Sequence, residues 1–327
     1  MTPPPNSRFR LLTRARIGPL AVAAVLFAAG CRSATRGDAS PVAPSVASYD
    51  LVAGRTGRFL LGLFSADKSQ LVAYGQVNLR FSYLGATGHP LPKPLPGPSA
   101  PAGYDPIPGQ HLNLADPGPR LVDPSDARGV YRATGITFDR PGIWQVAATV
   151  SLKPGGTTTV TSPFEVLASS KIPNVGDQAP ATVNPLPGDG TPAKAIDSRA
   201  SDTAPIPDPE LHRTTIAAAL AAHQPTVVVI STPTYCISRF CGPVTDSAST
   251  LAKTFGDKAA FIHLEVWEDF DKSQLNPAAA EWIRPTGAED AVEPWTFVID
   301  RNGRISHRFD NVAGEDELQA AVDQVTR

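Results

Sequence analysis

Alternation of apolar and polar side chains is strongest in the first half of the chain. In VNLRFSY, Val77, Leu79, Phe81 and Tyr83 alternate with Asn78, Arg80 and Ser82, the period of a strand with one buried face. IWQVAATVSL sets Trp144, Val146, Ala148, Val150 and Leu152 on one side. The turn residues Asp139-Arg140-Pro141-Gly142 predict a link from this strand to the preceding one, YRATGITF at 131–138. TTTVTSPFEV, at 157–166, adds a strand rich in β-branched residues. Short strands, turns and no helical period predict an all-β sandwich over residues 49–168.

The period changes in the second half. IAAALAAH reads as the end of a helix of strong helix formers. TVVVIST, at 226–232, reads as a strand buried on both faces in a parallel sheet. Val244, Ala248, Leu251 and Phe255 fall at helical spacing. A strand AAFIHLEVW and a short helix PAAAEWI follow. WTFVID and GRISHRF predict two strands joined by an Arg301-Asn302-Gly303 turn, and EDELQAAVDQV closes the chain as an amphipathic helix. The order is β-α-β, then β-β-α. Residues 169–207 read as a linker and lead-in segment. A proline-rich insertion at about 86–120 contains HPLPKPLPGPSAPAGYDPIPGQ, too long for an ordinary connection. Disorder is the expectation there, ahead of a polyproline recognition segment.

Composition narrows the setting. The formal net charge of -2, with no long run of one sign, argues against a nucleic-acid partner. Arg8, Arg10, Arg14 and Arg16 precede the apolar run IGPLAVAAVLFAAG. That is a signal peptide over residues 1–30, with an apolar run shorter than the ~20 residues of a membrane-spanning helix. AAGC, ending at Cys31, resembles the lipobox of bacterial lipoproteins. The resemblance implies lipidation at Cys31, residues 31–48 as a flexible tether, and a location on the extracytoplasmic side of the cell membrane. With Cys31 so used, Cys236 and Cys241 remain as partners for each other, in a compartment that permits disulfides.

Four local matches imply more. GVYRATGITFDRPGIWQV looks like the closing hairpin of immunoglobulin-like modules in bacterial envelope proteins. VGDQAP at 175–180, the cysteine stretch, and EPWTFVIDRNGRI at 293–305 together resemble the thioredoxin superfamily over about 172–327, with a core at 208–327. The implied fold class is an all-β immunoglobulin-like sandwich followed by an α/β thioredoxin-like fold. The family also implies a cis bond before Pro294, with this proline covering the cysteine pair.

Candidate chemistry lies in TPTYCISRFCGPV, residues 232–244. A helix N-terminus stabilises a thiolate through its unpaired N–H groups and dipole. One regular helix would separate the two cysteines by about 7.5 Å along its axis, beyond the usual disulfide reach of about 7 Å. Gly242 and Pro243 mark the break. Cys236 is therefore expected in the loop after the strand and Cys241 just before the helix. Thioredoxins place two residues between their cysteines; this chain places four. Cys236 is read as the exposed nucleophile and Cys241 as the resolving thiol, the opposite register of CGPV remaining open. The expected reaction is thiol-disulfide exchange with extracytoplasmic protein thiols or disulfides and an electron donor or acceptor protein, without cofactor or metal. A thiol peroxidase of peroxiredoxin type and a binding module with a structural disulfide are the alternatives. A copper site is disfavoured, because His263 sits mid-strand and reads as a packed residue. Glu265, Glu268 and Asp269 are set aside as a solvated strand end.

Overall fold

The structure, a computed structural model, describes residues 40–110, 112, 118–201, 203–236, 238–283 and 292–327. The signal peptide, Cys31 and the first part of the tether lie outside the described residues. Residues 39–327 form one compact unit. Among the described residues no helix is long and apolar enough to cross a membrane.

Nine antiparallel strands build the first half: β1 (Val42–Val46), β2 (Thr56–Ser65), β3 (Leu71–Ala73), β4 (Gln76–Ala86), β5 (His89–Pro106), β6 (Arg120–Val122), β7 (Gly129–Thr137), β8 (Gly142–Leu152) and β9 (Gly156–Val166). Their order is β6-β3-β2-β7-β5-β4-β8-β9, with β1 paired to β2. The alternation in β4 and β8 is realised as expected, with the apolar set of each strand buried. Phe59 of β2 meets Phe81 of β4 edge to face at 4.8 Å, although two strands separate them in the sheet. The sheet therefore curls so that its two ends share one core. Phe138, Trp144 and Phe164 complete the aromatic cluster, each such buried ring stabilising the fold by roughly 1.5–3 kcal/mol.

Three local expectations change here. The residues 139–142 do not close a hairpin: β7 pairs with β2 and β5, while β8 pairs with β4 and β9. The chain instead arches across the core between two non-adjacent strands. Within the proline-rich insertion, His89–Pro106 is not disordered but forms the 18-residue strand β5; residues 111 and 113–117 lie outside the described residues. Proline removes a backbone donor, so it is tolerated where a strand has a single neighbour. The prolines from Pro90 to Pro101 lie where β5 borders β4 alone, and only Gly103–Pro106 borders β7 as well. Lastly, the described end of the tether is ordered, because Val42–Val46 pairs along β2.

The second half contains α1 (Ala193–Ile196), a 3-10 turn (Pro209–His212), α2 (Ile216–Ala221), β10 (Thr226–Ser231), α3 (Cys241–Phe255), β11 (Ala260–Glu265), β12 (Trp267–Asp269), β13 (Gln274–Leu275), α4 (Pro277–Ile283), β14 (Trp295–Ile299), β15 (Ile305–Asp310) and α5 (Glu315–Thr326). A four-stranded sheet runs β11-β10-β14-β15, with β10 parallel to β11 and the other pairs antiparallel. Val227 and Val229 pack toward α3 and α5; Val228 and Ile230 pack with Trp282 of α4 and Phe297. Both faces of β10 are thus covered, which is why its apolar run does not alternate.

The expected class, an immunoglobulin-like sandwich followed by an α/β thioredoxin-like fold, is nevertheless overturned. Among the described residues strand predominates, 42% against 18% helix, in several sheets, and a thioredoxin-like domain with its helices is not evident there. Helix length is the physical reason. α1, α2 and α4 span four, six and seven residues, too short to persist without tertiary support. The apolar spacing read in 244–255 and 315–325 is met by α3 and α5, which cover one face of the four-stranded sheet.

The two halves are joined by ion pairs that are mostly withdrawn from water. Arg58 of β2 reaches Asp310 at 3.1 Å and Glu317 at 2.8 Å, and Arg308 reaches Asp50 at 2.6 Å. Tyr49 donates its backbone N–H to Asp310 at 2.8 Å.

Candidate functional site

The run TVVVIS ends β10, and the chain turns out through Thr232 to Phe240 before α3 begins. Cys236 sits in that loop, its N–H donating to the Thr232 carbonyl at 3.1 Å. Cys241 is the first residue of α3 rather than the residue before it. Gly242 and Pro243 follow inside the first turn, where proline loses no intrahelical bond. A disulfide joins Cys236 and Cys241, with their Cα atoms 6.0 Å apart. That span is possible because Ser238 to Phe240 lie outside the helix.

The two sulfurs differ in access. Cys236 is half-buried, whereas Cys241 is 0% exposed. Ser238 Oγ lies 3.2 Å from Cys236 Sγ, and Thr245 of α3 donates to the Cys241 carbonyl at 2.8 Å. Reduction would leave Cys241 at the N-terminus of a 15-residue helix, where a thiolate is stabilised.

Pro294 follows a cis bond from Glu293 and is buried next to β14. Glu293 is the residue that sequence reasoning missed. A carboxylate oxygen of Glu293 and both cysteine sulfurs all lie within 4.8 Å of one another. Burial holds the Glu293 carboxyl above the usual carboxylate range. Its signal in the sequence was its position beside Pro294, in a stretch read only for the proline. The other half of the protein reaches the same corner through Tyr49, whose hydroxyl donates to the Glu293 carbonyl at 2.9 Å. Burial, and then the Asp310 and Glu293 carboxylates, push the Tyr49 phenol up. A cleft of about 420 Å³ opens beside the loop, lined by Tyr49, Phe64, Val130, Ser238, Arg239 and Phe240. On the other side Tyr235 stacks on the exposed Phe270 with ring centroids 3.9 Å apart.

The three acids set aside earlier separate. Glu265 is 1% exposed and accepts N–H groups from Ser198 at 2.8 Å and Val266 at 2.9 Å. Burial pushes its carboxyl up to about 7. Asp269 pairs with Lys272 at the surface, and Glu268 is exposed. Glu265 is therefore no solvated strand end; it ties the linker residue Ser198 to the end of β11.

His263 also has company. It lies 2% exposed on β11, with Asp197 at 0% and His212 at 4% beside it. The Asp197 Oδ2 atom is 3.5 Å from His263 Nδ1 and 3.6 Å from His212 Nε2. Neither of those ring nitrogens has a hydrogen-bond partner. Burial opposes ionisation of Asp197, but the neighbouring His212 ring and the hydrogen-bonded Arg199 hold it well below the carboxylate range.

No family model matches the chain, and no curated protein matches it.

Proposed function

We propose that the protein is a lipid-anchored, extracytoplasmic thiol-disulfide oxidoreductase whose working group is the Cys236–Cys241 disulfide. The observation that carries this reading is the asymmetry of the pair: one half-exposed sulfur is joined to a buried sulfur at a helix N-terminus, with the Glu293 carboxyl beside both. A partner thiolate attacks Cys236 Sγ, the Cys236–Cys241 bond breaks, and Cys241 leaves as a thiolate. The second thiol of the partner then attacks the partner sulfur of the mixed disulfide and releases Cys236. The partner dithiol becomes a disulfide, and the protein disulfide becomes two thiols. The reverse sequence reduces a partner. Glu293 is placed to give a proton to the departing sulfur and to take it back. The stacked Tyr235–Phe270 pair and the cleft offer apolar surface to an extended protein segment. Cys31 would hold the protein at the membrane, so Cys31→Ser should release it into the soluble fraction.

The reduction potential tests the exchange reading, measured by thiol alkylation in graded redox buffers. A value between about -120 and -270 mV belongs to an exchange catalyst. A value below about -300 mV makes the bond a structural staple, and the protein a binding module.

A further inference from the structure

We propose that Asp197, His212 and His263 form a binding site for a single divalent metal ion of the zinc type, independent of the disulfide. These residues come from three separate places: the end of α1, the 3-10 turn and β11. Their side chains converge where all three are withdrawn from water. The ligand atoms lie within 4.8 Å of one another, and the two nitrogen-to-oxygen edges are 3.6 and 3.5 Å. A tetrahedral ion with ligands at about 2.0–2.2 Å has ligand-to-ligand edges of roughly 3.3–3.6 Å.

Hydrogen-bond logic makes the arrangement hard to explain otherwise. His263 Nε2 faces the Ser231 carbonyl at 3.2 Å. A carbonyl only accepts, so Nε2 carries the hydrogen and Nδ1 of the neutral ring presents its lone pair. That lone pair points at an anionic Asp197 oxygen, acceptor against acceptor. A cation between them resolves the conflict. A metal-bound histidine characteristically donates its other N–H to a backbone carbonyl in this way. A proton is the alternative cation, but it would place an imidazolium in a buried site, where desolvation opposes the charged ring.

Charge points the same way. Arg199 bridges Asp197, Asp208 and Asp246 at 2.7, 2.7 and 3.2 Å. Ser249 links Asp208 to Glu210, which meets Lys253 at 3.6 Å. Four carboxylates face two cations, which leaves two negative charges for a dication to balance. Arg199 grips Asp197 through Oδ1 as well as Oδ2, fixing the carboxylate as an outer partner fixes a ligand. Imidazole and carboxylate ligands, without thiolate, suit zinc among common ions, and cobalt(II) as its probe.

The test takes the full chain in detergent, strips it with a chelator, and dialyses it against micromolar zinc sulfate, with metal counted by mass spectrometry. A parallel sample receives cobalt(II) chloride for its visible spectrum. A single zinc equivalent is expected in the wild type and in a Cys236→Ser/Cys241→Ser protein, with cobalt bands of nitrogen and oxygen ligation. Stoichiometry should fall at least tenfold in His263→Gln and His212→Gln. Folded wild-type protein that retains no zinc, or that shows a thiolate-to-cobalt charge-transfer band, overturns the proposal. So does a folded His263→Gln protein that binds zinc as the wild type does. The wild-type readings decide the matter even where a variant fails to fold.

Discussion

The disulfide corner and the Asp197–His212–His263 corner are both built around the ends of β10 and β11, yet they are opposite kinds of site. The first combines one buried sulfur with one half-exposed sulfur, and it opens on a cleft and an aromatic pair. The second is buried, with polar atoms facing each other. Access separates a group that can react with a macromolecule from one that can only hold something small. One corner is suited to exchange and the other to retention.

The largest effect expected from breaking this contrast is at Cys236. Cys236→Ser should reduce exchange with a protein disulfide to the uncatalysed rate while leaving zinc stoichiometry unchanged; full activity would remove Cys236 as the attacking sulfur. Asp197→Asn should come next, and its readout is stability. It leaves Arg199 without its buried partner, which costs about 3 kcal/mol when a buried pair is broken, and thermal unfolding will show it. Added zinc should raise the unfolding temperature of the wild type and not that of this variant.

Glu293→Gln should slow exchange by about tenfold or more, as expected for a lost general acid-base. The acid-side limb of the pH-rate profile should vanish with it; an unchanged profile would make Glu293 a bystander. The smallest effect concerns Glu265. Its folded carboxyl titrates near 7, above its unfolded value, so the folded state binds the extra proton between the two. Stability from this proton is fully present at low pH and is lost as pH rises through about 7. The advantage of wild type over Glu265→Gln in unfolding temperature should therefore shrink from pH 5 to pH 8.

The sequence exposed the two corners unequally, for a physical reason. Cys236 and Cys241 are five positions apart, and Gly242 and Pro243 punctuate the same stretch, so local geometry implied a loop and a helix start, while the reading of Cys31 left the two as partners for a disulfide. Alternation in β4 and β8 was equally legible because each strand has one buried face. The Asp197–His212–His263 corner depends on residues 15 and 51 positions apart along the chain, which only the completed fold brings together. His263 alone looked like packing. Fold class failed for a related reason: periodicity marks the buried face of an element but not how far the element runs, and α1, α2 and α4 are short. Proline content misled in β5, because a proline count does not say how many neighbours a strand has.

That strand has one more consequence, for behaviour in a crowd. A long, exposed strand edge ordinarily invites another chain to extend the sheet, and β5 also shows water Leu91 and Leu95, both more than a third exposed. Residues 90, 92, 94, 96 and 98 are all prolines and have no N–H to offer. A neighbouring copy laid along this border finds acceptors without donors. The composition that looked like disorder thus makes this edge poorly suited to strand addition, and replacing these prolines with threonine should raise aggregation, read by light scattering.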